Sequence, residues 1–146
     1  MKPVCSREMA EFNRSYKEAE NIYAKYAASR GISTTTMCVL YSLYTARHPY
    51  TQTQLVEDWG IPMQTVNSCL KALEKKGILR LEFAAGSKKS KHICFTEQGE
   101  IMADQIVAPV ILAENQALGA LTPEERQQIL SITGKHNALL REFLLK

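Results

Sequence analysis

The chain has 146 residues, which is enough for one domain with helical extensions. Hydrophobic residues make up 45% and charged residues 23%, as in ordinary globular proteins, and no apolar run approaches the roughly 20 residues of a membrane-spanning helix, which argues against a membrane protein. The formal net charge is only +3, so the placement of the charges is more informative than their sum. The polar start lacks an apolar signal region, and we therefore expect a cytoplasmic protein.

Two helices are predicted at the start of the chain. Residues 8–29 contain neither Gly nor Pro, and Gly31 ends this first helix. Its apolar residues recur at helical spacing, which predicts one continuous stripe: Phe12, Tyr16, Ala19, Tyr23 and Tyr26. Ser33 can cap the second helix, which His48-Pro49 breaks. The predicted buried face of the second helix is Met37, Leu40, Leu43 and Tyr44.

Two further helices, joined by a tight turn, are predicted between residues 51 and 76. Thr51 to Gln54 fits the capping box S/T-x-x-E/Q, and Gly60 closes the short helix that follows. Pro62 suits the first turn of the next helix, whose buried face would be Val66, Leu70 and Leu73. The outer face of that helix has amides, hydroxyls and a lysine: Gln64, Thr65, Asn67, Ser68 and Lys71. Helices that face only water normally mix Glu with Lys, so a face without an acid until Glu74 is unusual.

A two-stranded ribbon is predicted directly after Gly77, which is a natural helix C-cap. Residues 78–83 form the first strand, 84–91 the tip and 92–95 the returning strand. The tip contains three lysines and no acid, which suits either a solvated loop or a loop that faces phosphates. Helix, tight turn, helix and ribbon over residues 51–96 are the pattern of a winged helix-turn-helix.

The rest of the chain is predicted to be helical. Thr96 caps a helix that runs to about Ala120 with a kink at Pro109, and Thr122 to Glu125 is a second capping box. The last helix has an apolar stripe of Ile129, Ile132, His136, Leu139 and Phe143. Terminal helices this apolar lack partner surface within one copy, so we expect a homodimer. The predicted fold is mainly α with a small β-wing: residues 1–32 and 97–146 dimerise, and residues 33–96 form the winged helix-turn-helix.

In the order of its elements and in its local sequences, the chain resembles a MarR-type transcriptional regulator, a dimeric winged helix-turn-helix protein of bacteria and archaea. The matching segments are residues 32–40, "TQTQLVEDWGI", "TVNSCLKALEKKGIL", "FTEQGE" and "LTPEERQQIL", and the resemblance spans roughly residues 8–146. The wing "AAGSKKSKHI" departs from the family because it lacks the usual Asp-x-Arg pair. Pro62 stands where the family often has a Ser or Asp cap, and Ser68 stands where an arginine is frequent.

The resemblance implies that the helix from Pro62 to Lys76 enters the major groove of double-stranded DNA. The side chains near its amino end would reach base edges: Gln64, Thr65, Asn67 and Ser68. Phosphate contacts would come from Lys71, Lys88, Lys89 and Lys91, and from hydroxyls and backbone amides near Thr51 and Thr53. Arg80 is expected to pair with a nearby acid rather than with DNA.

The resemblance further implies a repressor whose DNA binding responds to a small aromatic or lipophilic effector. Residues that could line such a cleft are Tyr16, Tyr23, Met37 and Tyr41, although their helical spacing fits core residues as well. Two alternatives stay open: a winged-helix module that binds another protein, and a redox-responsive regulator that uses Cys5. The thiols are otherwise expected to be reduced and mostly buried, and the apolar surroundings of Cys38 and Cys69 disfavour a thiolate. No enzyme motif or cofactor signature is present, and the histidines are scattered, so we expect neither an enzyme nor a metal site.

Overall fold

The computed structural model describes residues 2–146 and has six helices and one antiparallel pair of strands in that range. The elements in chain order are α1 (Arg7–Ser29), α2 (Thr34–Thr45), α3 (Gln52–Trp59), α4 (Met63–Lys75), β1 (Leu79–Phe83), β2 (Lys91–Phe95), α5 (Glu97–Gly119) and α6 (Pro123–Leu144). The chain divides into two compact units, one up to Val107 and one from Ala108 to Lys146. The first unit contains α1 to β2 and the start of α5, and the second contains the rest of α5 and α6. The predicted fold class, mainly α with a small β-wing, is confirmed.

The helix starts follow the capping signals in the sequence. The Ser33 hydroxyl accepts the backbone N–H of Thr36, and both predicted capping boxes, Thr51 with Gln54 and Thr122 with Glu125, are present. The sequence predicted Pro62 in the first turn of α4, but in the structure it is the N-cap of that helix. It forms no side-chain capping hydrogen bond. The predicted cap at Gly60 is confirmed, with a φ value of 62°, whereas the C-cap of α4 is Lys76 and Gly77 follows it in the left-handed conformation with a φ value of 71°.

The core of the first unit lies where α2, α3, α4 and the ribbon meet. Its most deeply buried side chains there are Val39, Leu40, Leu55, Val66, Leu70, Leu73, Ile78, Leu79 and Ile93. Met37 is buried as predicted, but the prediction for Tyr44 is wrong because this residue is 37% exposed. Its hydroxyl donates to the carboxylate of Asp104 at 2.8 Å, which keeps the ring at the surface and raises the pKa of the phenol.

The carbonyl group of Ile78 joins α4, the ribbon and α5 at one point. The Ile78 oxygen accepts the backbone N–H of Thr96 at 3.1 Å, while the Thr96 hydroxyl donates to the Gly77 oxygen at 2.5 Å and lies 3.2 Å from the Ile78 oxygen. The same hydroxyl caps α5 by accepting the N–H of Gly99 at 3.0 Å. Gly99 is buried, and a Cβ atom placed on it would lie 2.0 Å from the Ile78 oxygen. The helix-to-strand switch at Gly77 is therefore fixed by contacts with the first turn of α5.

In the second unit, α6 begins at its capping box, and Arg126 braces the turn before it by donating to the carbonyl oxygen of Leu121 at 2.7 Å. No residue of α6 is buried. The apolar side chains that α6 exposes include Ile129, Leu130, Ile132, Leu139, Leu140, Phe143 and Leu144. Pro109 lies inside α5 as predicted.

The cysteines differ in part from the prediction that they are mostly buried. Cys5 is exposed, whereas Cys38, Cys69 and Cys94 are half-buried, and all four are free thiols. Burial raises the pKa of the Cys38 and Cys69 thiols, in agreement with the expectation that they are not thiolates. Within residues 2–146, no helix is both long and apolar enough to cross a bilayer.

Candidate nucleic-acid interface

The outer face of α4 is a polar surface directed away from the core. Val66, Leu70 and Leu73 fix the buried side of the helix, so the opposite side must face solvent. Most predicted base-contacting and phosphate-contacting residues of α4 are exposed: Gln64, Thr65, Ser68 and Lys71. Asn67 is half-buried at the edge of this face, and its side-chain amide forms no hydrogen bond with another described residue. The amide is thus available to an external partner.

Lys75 belongs to the same surface and was missed at the sequence level. Gln64, Ser68, Lys71 and Lys75 follow one another at spacings of four, three and four, so they form one line along the helix. All four are exposed. The sequence could have identified Lys75, because it follows Lys71 by four residues and adds a second cation, and no acid, to this line. We define these four residues together with Thr65 and Asn67 as the α4 polar face.

The turn between α3 and α4 positions this face. Gly60 adopts the left-handed conformation that ends α3, and the chain reenters a helix at Met63. The Gln52 side-chain amide donates to the Met63 carbonyl oxygen at 3.3 Å and approaches the Met63 sulfur at 3.1 Å. These contacts connect the amino ends of the two helices, so the α4 polar face is held by α3 as well as by the core.

The two threonines predicted near phosphates differ in their availability. Thr51 is half-buried, and its hydroxyl accepts the N–H of Gln54 and lies 3.1 Å from the Gln54 side-chain oxygen. Thr53 is exposed, and its hydroxyl has no hydrogen bond to another described residue. Thr53 can therefore offer its hydroxyl to a phosphate, whereas Thr51 mainly serves the cap.

The wing presents its lysines on a hydrogen-bonded tip. The Ser87 hydroxyl accepts the backbone N–H groups of Lys89 and Ser90 at 3.2 and 3.0 Å, and this fixes the turn. The side chains of Lys88 and Lys89 are exposed on that turn. Lys91 begins β2, and its ammonium group lies 5.1 Å from the ring centroid of Phe83, its partner across the ribbon. Three of the four lysines predicted to contact phosphates therefore lie at one end of the ribbon.

The prediction for Arg80 is confirmed. Its Nε atom donates to Glu82 at 2.5 Å, and another guanidinium nitrogen donates to the carbonyl oxygen of Phe95 at 2.5 Å. The adjacent guanidinium lowers the pKa of Glu82. Both side chains are more than half exposed, so screening by water and salt limits what this pair contributes to stability. Arg80 therefore pairs with an acid of its own strand and with the backbone of β2.

Of the four residues predicted to line an effector cleft, Tyr41 lines a cavity, and the other three lie elsewhere in the described part of the chain. Tyr16 and Tyr23 are exposed on α1, and Met37 is buried in the core. Tyr41 is half-buried and lines an open cavity of about 470 Å³ between α2, the segment 46–50 and the end of α3. The other residues of this cavity were not singled out in the sequence, because they come from three separate segments.

The sequence matches no protein-family model. The fold is similar to that of NMB1585, a MarR family regulator from Neisseria meningitidis, with 18% identity, a TM-score of 0.78, and coverage of 96% of this chain and 97% of that one. It is also similar to S. aureus MepR in its complex with DNA, with 18% identity, a TM-score of 0.71, and coverage of 92% and 99%. A third similar structure is Bordetella bronchiseptica BpsR, whose DNA binding is regulated by 6-hydroxynicotinic acid, with 14% identity, a TM-score of 0.69, and coverage of 94% and 97%.

These matches extend over nearly the whole of each protein, and the shared part includes the helices on both sides of the winged segment as well as the wing. The predicted resemblance is therefore confirmed at the level of the fold. The chain has the winged helix-turn-helix fold of the MarR family transcriptional regulators.

Proposed function

We propose that this chain is a sequence-specific DNA-binding transcriptional regulator that binds as a homodimer and responds to a small molecule. The observation that carries the proposal is the α4 polar face, which is mostly exposed, contains no acid before Glu74 and lies on the second helix of a helix-turn-helix. A helix in this position fits the major groove, where amide side chains recognise adenine through paired hydrogen bonds. The similar fold of DNA-bound MepR supports the same placement.

The phosphate contacts would be supplied by the wing and by the end of α4. Lys71, Lys88, Lys89 and Lys91 are exposed, and none forms an ion pair within the described residues. Their charges are therefore not neutralised internally and can displace counterions from DNA. We propose that these lysines contact DNA phosphates in a wing that lacks the Asp-x-Arg pair.

The proposal is tested by measuring affinity for random duplex DNA while the salt concentration is varied. If the four lysines of each subunit contact phosphates, the logarithm of the binding constant should fall with the logarithm of salt with a slope of up to about −7 for a dimer. Binding at low salt with a steep slope is the expected result. Absence of binding at low salt would instead favour the alternative that the winged domain recognises another protein.

The homodimer is proposed from the exposed apolar side chains of the terminal helices. On α1 these side chains include Phe12, Tyr16, Ile22 and Tyr23. On α6, Ile132 is 63% exposed and belongs to the stripe predicted from the sequence. An apolar stripe along an exposed helix is usually covered in solution, and a two-fold dimer would present two α4 polar faces to successive major grooves.

Substituting Ile132 with Glu is expected to shift the protein from dimer to monomer, because the dimer would then have to bury a carboxylate in an apolar contact. The measurement is the solution mass by sedimentation equilibrium at micromolar concentration. The matched control is Asn137→Glu, which adds the same charge to an exposed position on another side of α6. A dimer in both variants would show that this stripe is not the interface.

The third part of the proposed function is control of DNA binding by a small molecule. It is supported by the fold shared with BpsR, whose DNA binding 6-hydroxynicotinic acid regulates. We further propose that the bound dimer represses transcription, because a protein lying on promoter DNA excludes polymerase from the same site.

A further inference from the structure

We propose that Phe83 and Lys91 together contact one nucleotide of the DNA backbone, with the Phe83 ring against the deoxyribose and the Lys91 ammonium group at the phosphate. The contact rests on the proposed function, because it requires duplex DNA on the winged domain. The two residues are partners in the register of the ribbon, and the ammonium group lies 5.1 Å from the ring centroid. A nucleotide presents two matching chemistries side by side, a weakly polar sugar and an anionic phosphate.

The two faces of the ribbon differ in chemistry. Residues directly opposite each other in an antiparallel pair lie on the same face, and successive residues of a strand alternate between faces. The face of Phe83 and Lys91 also has an apolar row that comprises Leu79, Leu81, Ile93 and Phe95. The opposite face has Arg80, Glu82, His92 and Cys94. The only acid of the ribbon, Glu82, is therefore on the face opposite to Phe83 and Lys91.

The apolar row continues beyond the end of the core. Leu79 and Ile93 are buried and Leu81 is half-buried, whereas Phe83 is 60% exposed. Most of the Phe83 ring is thus open to solvent at the end of β1. Covering an exposed phenyl ring with a weakly polar surface is favourable, because apolar area is removed from water. The ring therefore offers affinity that does not depend on charge.

Phe83 projects from the side of the ribbon on which the helices lie. Leu79 and Ile93 share its face and are buried in the core, where α4 packs against β1 and both α2 and α3 pack against β2. The backbone N–H of Ile93 donates to the carbonyl oxygen of Tyr50 at 2.8 Å, directly before the cap of α3. The ribbon is thereby held to the start of α3 within the first unit. One duplex can therefore meet both the α4 polar face and the Phe83 side of the wing.

The charges around Phe83 favour a polyanion as the partner. Lys88, Lys89 and Lys91 are exposed at this end of the ribbon, and none forms an ion pair within the described residues. A purely apolar partner would remove water from these ammonium groups without replacing the lost hydrogen bonds, which is costly. Duplex DNA supplies phosphates for the ammonium groups and sugars for the ring, so it satisfies both parts of the surface.

The contact is tested by measuring the affinity for operator DNA at several salt concentrations. Phe83→Ala should weaken binding at least about tenfold, because each subunit of a dimer loses apolar area that a sugar would cover. Since the ring is uncharged, this loss should be the same at every salt concentration. Lys91→Ala should instead reduce the salt slope by about 0.9 for each subunit. The matched control is Ile101→Ala on α5, which removes a similarly exposed apolar side chain and should bind like the parent.

Two further measurements separate a direct contact of Phe83 from an effect that acts through Lys91. In a protein that already has Lys91→Ala, the change Phe83→Ala should weaken binding further. Hydroxyl radicals attack the deoxyribose, so their footprint on operator DNA should lose protection at the wing in Phe83→Ala and keep it beneath α4. Phe83→Leu, which retains an apolar side chain, should keep most of the affinity. All variants should unfold at the urea midpoint of the parent, because both side chains are exposed.

Equal operator affinity in Phe83→Ala and the parent would overturn the contact. An effect of Phe83→Ala that disappears in the Lys91→Ala protein, or an unchanged footprint, would overturn it as well. In these cases the parent still binds DNA, and the proposed function stands. A parent protein that binds no duplex DNA at low salt would contradict the proposed function together with the contact, so the two failures are distinguishable.

Discussion

Replacing Gly99 with alanine is expected to destabilise the first unit by about 3 kcal/mol or more. The added Cβ would lie 2.0 Å from the carbonyl oxygen of Ile78, 3.0 Å from its carbonyl carbon and 3.1 Å from the ring of Phe95. The nearest atoms belong to the backbone and cannot rotate away, so α5 must move relative to the ribbon. That movement would stretch the hydrogen bond from the Thr96 N–H to the same carbonyl group and the one from the Thr96 hydroxyl to the Gly77 carbonyl oxygen.

The measurement is urea unfolding followed by the fluorescence of Trp59, which lies in the first unit, and by circular dichroism. The matched control is Gly134→Ala in α6, where an added Cβ meets nothing within 4 Å. This control should be neutral or more stable by about 0.5–1 kcal/mol, because alanine favours the helix over glycine. An unfolding midpoint for Gly99→Ala equal to that of the parent would mean that α5 does not pack on Ile78 as described.

Features of the fold that depend on neighbouring residues could be predicted from the sequence, whereas the packing constraint on Gly99 could not. Capping boxes such as that of Thr51 and Gln54 depend on residues three positions apart, and the pattern therefore identifies them directly. The constraint on Gly99 comes from Ile78, which is far away in the sequence, so the family-like segment "FTEQGE" includes Gly99 without showing what it packs against. The same reason explains Tyr44, whose helical spacing predicted burial while a distant carboxylate, Asp104, holds its hydroxyl at the surface.

Part of the candidate interface could also be predicted from the sequence, namely which residues form the outer side of α4. Because the buried side of α4 follows from an apolar pattern, the composition of its opposite side could be taken from the sequence, including the absence of acids. Spacing alone could not show that the hydroxyl of Thr51 is engaged in its own cap, or that Asn67 lies at the edge of the face. The cavity beside Trp59 could not be predicted from the sequence. A loop and two helices must come together in the fold before Arg47 lies near aromatic residues.

The substitution of both Asn67 and Lys71 with alanine is expected to weaken binding to the cognate operator at least about 100-fold. A paired amide contact with a base is worth about 1–3 kcal/mol, and a dimer would lose it twice. The loss of Lys71 should also reduce the salt slope by about one for each subunit. Stability should change little, because the Asn67 amide has no hydrogen bond to another described residue and Lys71 is exposed.

The control variant is Asn13→Ala with Lys17→Ala on α1, which removes the same two residue types at the same spacing from an exposed surface. It has the same net charge as the α4 variant, so a general loss of positive charge would affect both equally. Electrophoretic mobility shift with operator and with random DNA separates the two contributions: loss of the Asn67 contact should lower only the affinity for operator, while loss of Lys71 should weaken both. If the two variants bind operator with equal affinity, α4 does not belong to the DNA interface. That result would indicate that the wing makes the DNA contacts, and the exposed Lys88 and Lys89 would be the next residues to substitute.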